Sequence, residues 1–190
     1  MDIYLIRHTK TDTLKGLCYG KSEVALADTF LEEVQKLKLK LPEFKANSQF
    51  FSSPLVRCVK LAEKLSRAVT IDARLSELDF GDWESRRFDD IDVDDLQQWT
   101  DNFVHSSPPN GESFTDLCRR VGFFWEDMVQ GISPATEQIL IITHAGVIRA
   151  LFAYLLQMPP ANAFQFRVDL GSVHKLQHFN NYTYINYINL

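Results

Sequence analysis

Asp2-Ile-Tyr-Leu-Ile-Arg7-His8 is one strand's length of mostly apolar sequence that ends in a guanidinium and an imidazole. In an open α/β sheet, ligands sit just beyond the carboxyl ends of the strands. Two further apolar runs end in the same way. Gln49-Phe-Phe-Ser-Ser-Pro-Leu-Val-Arg57 delivers a second arginine, and Ile139-Leu-Ile-Ile-Thr-His144-Ala-Gly146 delivers a second histidine. Any one of these reads as ordinary polar surface. Together, Arg7, His8, Arg57 and His144 read as one anion pocket.

The periodicity around these runs predicts alternating strands and helices. Strands are expected at Asp2–Ile6, Ser48–Ser52, Val69–Ile71 and Gln138–Thr143, the last a continuous apolar run typical of a buried parallel strand. Helices are expected at Phe30–Leu41, stopped by Pro42, then from Pro54 to about Ser66, Ser113 to about Gln130, and Gly146–Gln157. The tail reads as two or three strands among Phe164–Val168, Val173–Phe179 and Thr183–Ile188, with Asn180-Asn181 as a hairpin turn. The fold class is α/β: a three-layer α/β/α sandwich with a mostly parallel sheet and an antiparallel edge. A polar, irregular excursion at about 82–111 reads as a lid-like insertion in one domain spanning 1–190. Its acidic run from Asp89 to Asp95 reads as a solvated face, with Leu96, Trp99 and Phe103 as the buried stripe of a short helix.

Composition narrows the function. A chain of 190 residues can bury a useful core in one domain. A formal net charge of −5 argues against nucleic-acid binding driven by bulk charge, so a cationic pocket here is a local arrangement. Cys18, Cys58 and Cys118 are odd in number and widely spaced, which fits reduced thiols in the cytoplasm. The absence of a leader-like start and of a membrane-length apolar run supports the same expectation. No His/Asp cluster at ligand spacing accompanies the motifs, so no metal and no cofactor are expected.

The motifs RHT (7–9), SSPLVRC (52–58), LSELDFGDWE (75–84), PPNGESF (108–114) and THAGVIRAL (143–151), in this order, resemble the histidine phosphatase superfamily, whose fold is phosphoglycerate-mutase-like. The stretch GLCYGKSEVALADTF (16–30) is most similar to its α-ribazole phosphatases. The chain departs from the common pattern at Thr9, where many members carry glycine, and at Leu14, Ala25 and Ser85. The first two narrow the subfamily; the others concern local loop geometry.

The resemblance implies a metal-independent phosphomonoesterase. His8 would be the nucleophile, its neutral nitrogen attacking phosphorus while the other ring nitrogen donates to a backbone carbonyl. Arg7 and Arg57 offer bidentate forks for the phosphate, and His144 an imidazole N–H. The small residues Ala145 and Gly146 let a helix N-terminus approach the anion. The family's acid lies four residues before the motif glycine, which makes Glu77 the proton donor. Glu84 is assigned a structural role, binding backbone N–H groups. Thr13, Tyr19 and Gly20, on the loop after the nucleophile, are candidate substrate contacts. His105, His174 and His178 read as surface or strand residues, and Trp83, Trp99 and Trp125 as packing. The implied reaction is hydrolysis of α-ribazole 5′-phosphate in assembly of the cobalamin nucleotide loop. The alternatives are a broad-specificity small-molecule phosphatase, a phosphoglycerate mutase and a non-catalytic phospho-ligand-binding protein. An acidic excursion disfavours the doubly anionic mutase substrate.

Overall fold

The computed structural model describes residues 1–190. Its centre is one six-stranded sheet. The strands are β1 (Asp2–Arg7), β2 (Ser48–Ser52), β3 (Thr70–Ile71), β4 (Gln138–Thr143), β5 (Val173–Phe179) and β6 (Tyr182–Tyr187), in the order β3-β2-β4-β1-β5-β6. The first four in that order run parallel, and β5 and β6 form the antiparallel edge. The mostly parallel sheet with an antiparallel edge is thus the one expected.

The helices are α1 (Phe30–Lys38), α2 (Val56–Leu65), α3 (Val93–Asp101), α4 (Phe114–Gly131) and α5 (Ala145–Leu155). Alternation along the central strands assigns them to two layers. Ile3, Leu5, Ile139 and Ile141 pack on one face with Phe124, Ile148 and Phe152 of α4 and α5. Tyr4, Ile6, Leu140 and Ile142 pack on the other with Val34, Leu37, Cys58 and Leu61 of α1 and α2. Residue 113 starts α4 as expected: the Ser113 hydroxyl accepts from the Asp116 amide, and the Asp116 carboxylate accepts from the Ser113 amide, a reciprocal cap.

Most boundaries shift by a residue or two, and two readings differ further. Helix α1 ends at Lys38 rather than Leu41: the amides of Lys40 and Leu41 turn to the carbonyls of Leu37 and Lys38 in tighter three-residue bonds, and Pro42 has no N–H to continue the ladder. Phe164–Val168 is not a strand. Pro160–Gln165 is a 3₁₀ turn, and the carbonyls of Phe166 and Val168 accept from the guanidinium groups of Arg149 and Arg7. Both edges of β1 are already taken by β4 and β5, so the segment has no place beside that strand.

The excursion at 82–111 packs around its own small core of Cys18, Trp83 and Ile91, joined by Phe80, Phe88, Leu96 and Trp99. Its aspartates at 89, 90, 92, 94 and 95 are exposed, as expected for a solvated face, and Asp92 caps α3 through the amides of Asp94 and Asp95. No helix is long and apolar enough to cross a membrane.

The β5–β6 hairpin turns through Asn180 and Asn181, both left-handed with φ of 48° and 60°. That pair of positive φ values defines a two-residue turn matched to strand twist. Asn181→Val is expected to cost about 1–2 kcal/mol, the penalty of a branched side chain in left-handed backbone. Asn181→Gly should cost nothing. Urea unfolding of both variants checks this, and an equal loss in both would refute it.

Candidate active site

The parallel register of β1 and β4 sets Arg7 opposite Thr143, so His8 and His144 both follow at the same end of the sheet. Their rings meet edge to face with centroids 5.2 Å apart. Beside them β2 pairs Ser52 with Ile142, which brings Ser53 and, one helical turn on, Arg57 to the same place. A cavity of about 310 Å³ opens here, lined at its base by Arg7, His8, Arg57, Glu77, Ala145 and Gly146.

His8 is buried, and its Nδ1 lies 2.7 Å from the carbonyl of Thr9. A carbonyl only accepts, so Nδ1 carries the proton and Nε2 is the unprotonated nitrogen, unpaired on the cavity side. Burial pushes the imidazole pKa down to about 3, and the charges of Arg57 and Arg7 add to the effect. His8 is therefore a neutral base near neutral pH. Arg7 gives one N–H to the Val168 carbonyl at 2.7 Å, while its buried Nε has no protein partner.

Arg57 is fully buried without a carboxylate beside it. Its guanidinium donates to the carbonyls of Ser22, at 2.8 Å, and Gly20, and to His144 Nδ1 at 3.3 Å. Arginine is only a donor, so His144 carries its proton on Nε2, which donates to Ser53 Oγ at 2.7 Å. Both ring nitrogens of His144 are thereby occupied, and the ring lies behind the cavity wall rather than on it. The expected N–H from His144 toward a phosphate is turned instead to Ser53.

Glu77 projects from the loop after the 3₁₀ turn Ala73–Leu75, and its Oε2 accepts from the Gly146 amide at 3.2 Å. That amide, expected to face an anion, thus serves the carboxylate. The loop is held by Arg120, which is paired with Glu112 and donates to the carbonyls of Arg74 and Glu77. The sequence reading takes Glu112-Ser113 most simply as a helix N-terminus, and the family resemblance leaves open a secondary role near the pocket. Glu112 lies ahead of the Ser113 cap, outside α4, so helical spacing gave no signal for the pair.

Glu84 has the structural role expected of it. Burial opposes its ionisation, but the Ser22 hydroxyl and the amides of Phe80, Gly20 and Lys21 together hold its carboxyl below the usual range. The Ser22 amide donates as well, at 3.0 Å. Gly20 belongs to this clamp and not to the cavity wall; a Cβ there would lie 1.8 Å from the Leu78 carbonyl. Thr13 is also off the wall, bonded to Thr11, whereas Tyr19 and Ala145 are on it.

The outer wall is mostly apolar: Leu17, Phe80, Phe88, Trp99, Phe103 and Phe164 take part. Trp99, read as packing, both packs on Trp83 and lines this wall. Trp83 and Trp125 are buried core. His174, expected at a surface or in a strand, lies in β5 but is fully buried, between Ser172 and the Asn189 amide. No group of three or more His, Cys, Asp or Glu side chains is arranged to hold a metal ion.

The model of the histidine phosphatase superfamily (branch 1) matches residues 3–190, and the chain belongs to that family. An adenosylcobalamin/alpha-ribazole phosphatase of Escherichia coli (strain K12) is 32% identical over 90% of this chain and 87% of its own. The crystal structure of the alpha-ribazole phosphatase from Shigella flexneri superposes with a TM-score of 0.90 at 30% identity, covering 100% of this chain and 96% of that one. The mycobacterial glucosyl-3-phosphoglycerate phosphatase Rv2419c shares the fold, with a TM-score of 0.82 at 24% identity over 99% and 98% of the two chains.

A Cβ on Gly146 would lie 2.3 Å from Glu77 Oε1 and 3.2 Å from its carboxyl carbon. Alanine normally favours a helix by about 1 kcal/mol over glycine. Gly146→Ala is therefore expected to displace Glu77 and lower phosphomonoester turnover at least tenfold, on the order expected for general acid–base catalysis. Activity kept at the wild-type level would show that Glu77 need not stand there.

Acid should destabilise the fold through its buried histidines. Burial holds His8 at about 3 and His174 at about 4, against an ordinary 6.5. Below 6.5 the unfolded chain takes up protons that the folded chain refuses. The stability contribution is whole above pH 6.5 and is lost as pH falls toward 4 and then 3. Urea unfolding between pH 7 and 4 should show a steady fall that is shallower in His174→Gln; a flat profile would contradict the burial argument.

Proposed function

We propose that this chain hydrolyses phosphomonoesters through a phosphohistidine on His8, without a metal. The observation that carries the reading is a buried, neutral His8 with Nδ1–H fixed on Thr9 and Nε2 unpaired, in a cavity shared with Arg7, Arg57 and Glu77. Nε2 attacks phosphorus; the P–N bond forms as the P–O bond to the leaving group breaks. Glu77 gives its proton to the departing oxygen. Water then attacks, Glu77 takes its proton, the P–N bond breaks, and inorganic phosphate leaves with His8 restored. Arg7, with an unpartnered Nε, and Arg57 stabilise the charge on the equatorial oxygens. His144 serves the pocket by holding Arg57 and packing on His8.

The substrate we propose is α-ribazole 5′-phosphate, giving α-ribazole and phosphate. The names of the 32% and 30% identical relatives support it, as does the apolar, aromatic outer wall, which suits a planar base. That same wall favours a second reading, a phosphatase of broad specificity for apolar phosphomonoesters. The protein's location is proposed to be cytoplasmic.

Acid-quench labelling tests the nucleophile: wild type should trap an acid-labile phosphoenzyme, and His8→Ala should trap none and lose turnover. A label that persists in His8→Ala would reassign the nucleophile. Activity should survive EDTA; loss in chelator, restored by a divalent metal, would overturn the metal-free route. Glu77→Gln should slow an alkyl phosphate by about 10²–10⁴-fold, the usual worth of a general acid. It should slow the burst phase with p-nitrophenyl phosphate far less, because that leaving group departs without a proton. Glu84→Gln should show no such contrast; the reverse pattern would exchange the roles of the two carboxylates.

A further inference from the structure

Arg149 is the third arginine of the cavity and the one the mechanism leaves unused. It lies three residues after Gly146 on α5, so it shares a helix face with that glycine. Its Nε donates to the Phe166 carbonyl at 3.2 Å, and its guanidinium lies 5.2 Å from the Phe164 ring centre. It is half-buried, and none of the ten ion pairs includes it. Nη1 and Nη2 have no protein partner, and the side chain lines the cavity together with Glu77 and Arg7. Phe164, beneath the guanidinium, packs edge-on against Phe103 and Phe114, with centroids 4.7 and 4.8 Å away. Arg149 therefore stands between the carboxylate at the scissile bond and the aromatic wall.

A half-buried guanidinium without an anion costs desolvation unless something supplies acceptors. A planar fork with two free nitrogens matches two oxygens set side by side. Resting on the phosphatase reading of this cavity, we infer that Arg149 is a specificity-determining residue that hydrogen-bonds the sugar oxygens of a riboside leaving group. The order of chemistries along the cavity is phosphate donors, then Glu77, then Arg149, then aromatic rings. A leaving group that fits has its ester oxygen next to hydroxyls, and the hydroxyls next to a planar apolar ring. A phenylalkyl phosphate satisfies the two ends but offers Arg149 nothing.

The test compares wild type, Arg149→Ala and Arg149→Lys on benzimidazole riboside 5′-phosphate, 3-phenylpropyl phosphate and 3-phosphoglycerate. Arg149→Ala should lose about 10–100-fold in kcat/KM on the riboside phosphate, the range for hydrogen bonds to a charged group. It should stay within about threefold of wild type on 3-phenylpropyl phosphate, which offers the guanidinium no oxygens beyond the phosphate ester to hydrogen-bond. Lysine should recover only part of the loss, because it lacks the fork. Equal losses on both substrates would overturn the inference by assigning Arg149 to the phosphate or to Glu77. So would no loss on either, or a wild-type preference for 3-phosphoglycerate that the alanine variant abolishes. Binding of the dephosphorylated riboside, followed by titration calorimetry, separates this inference from the catalytic one. Arg149→Ala should weaken that binding about tenfold or more and leave inorganic phosphate binding unchanged. An unchanged riboside affinity sinks the role of Arg149, whereas a wild type that turns over no phosphomonoester sinks the phosphatase reading.

Discussion

The whole site hangs on one register. Strands β1 and β4 run side by side with Arg7 opposite Thr143, and the residue after each is a histidine. Side chains on a strand alternate between faces, so a slip of one residue would invert both apolar layers. The register is enforced by burial: Ile3 and Leu5 require one layer while Tyr4 and Ile6 require the other. The pair of histidines at the cavity is thus located by apolar residues that do not line it. Strand β2, one position further along the sheet, is registered by the same rule and contributes Ser53 and Arg57.

Beyond the strand ends, buried charge replaces burial of apolar surface as the organising force. The loop at 20–22 turns its carbonyls to Arg57 and its amides to Glu84. Its peptide dipoles therefore lie between a cation and an anion, and neither ion needs a direct partner. Breaking one side of such an arrangement leaves a buried charge unsatisfied, which costs several kcal/mol. Arg120 and Glu112 do the equivalent for the loop that carries Glu77, through the carbonyls of Arg74 and Glu77. Loops that present His8 and Glu77 are thereby nearly as constrained as the sheet.

Much of this was legible in the sequence. Strands β1, β2 and β4 were readable because each is a short apolar run ending at a polar residue, and the Asn180-Asn181 turn because asparagine tolerates left-handed backbone. The convergence of Arg7, His8 and Arg57 was suggested by three apolar runs ending alike and, for Arg57, rested also on the Ser-Ser-Pro before it and the family resemblance. The anchoring role of Glu84 was also anticipated, though not that its partners would be residues 20–22. Phe164–Val168 was misread because its alternation reflects one aromatic ring directed at the cavity and two carbonyls claimed by arginines. His144 was placed correctly but aimed wrongly, since a strand pattern carries no information about which neighbours its nitrogens meet. Arg149 stood in full view in the motif THAGVIRAL. Its half-buried place on the cavity wall, with Nη1 and Nη2 unpaired, becomes visible only once the chain is folded and separates it from a surface arginine.

The clamp on residues 20–22 has a bearing on how the chain reaches its native state. Glu84 binds amides 62 to 64 positions earlier, Glu77 meets the Gly146 amide across 69, and His144 meets Ser53 across 91. Ordering such distant partners requires large loops to close before any of these bonds can form. Local helices and the hairpin can arise early without them. The pocket accordingly waits on long-range closure, as the sheet does where β1 pairs Asp2 with Gln138, and a chain holding only its local helices and hairpin would lack it. Occupancy of the phosphate pocket would report that the chain has finished folding, not merely that it has become compact.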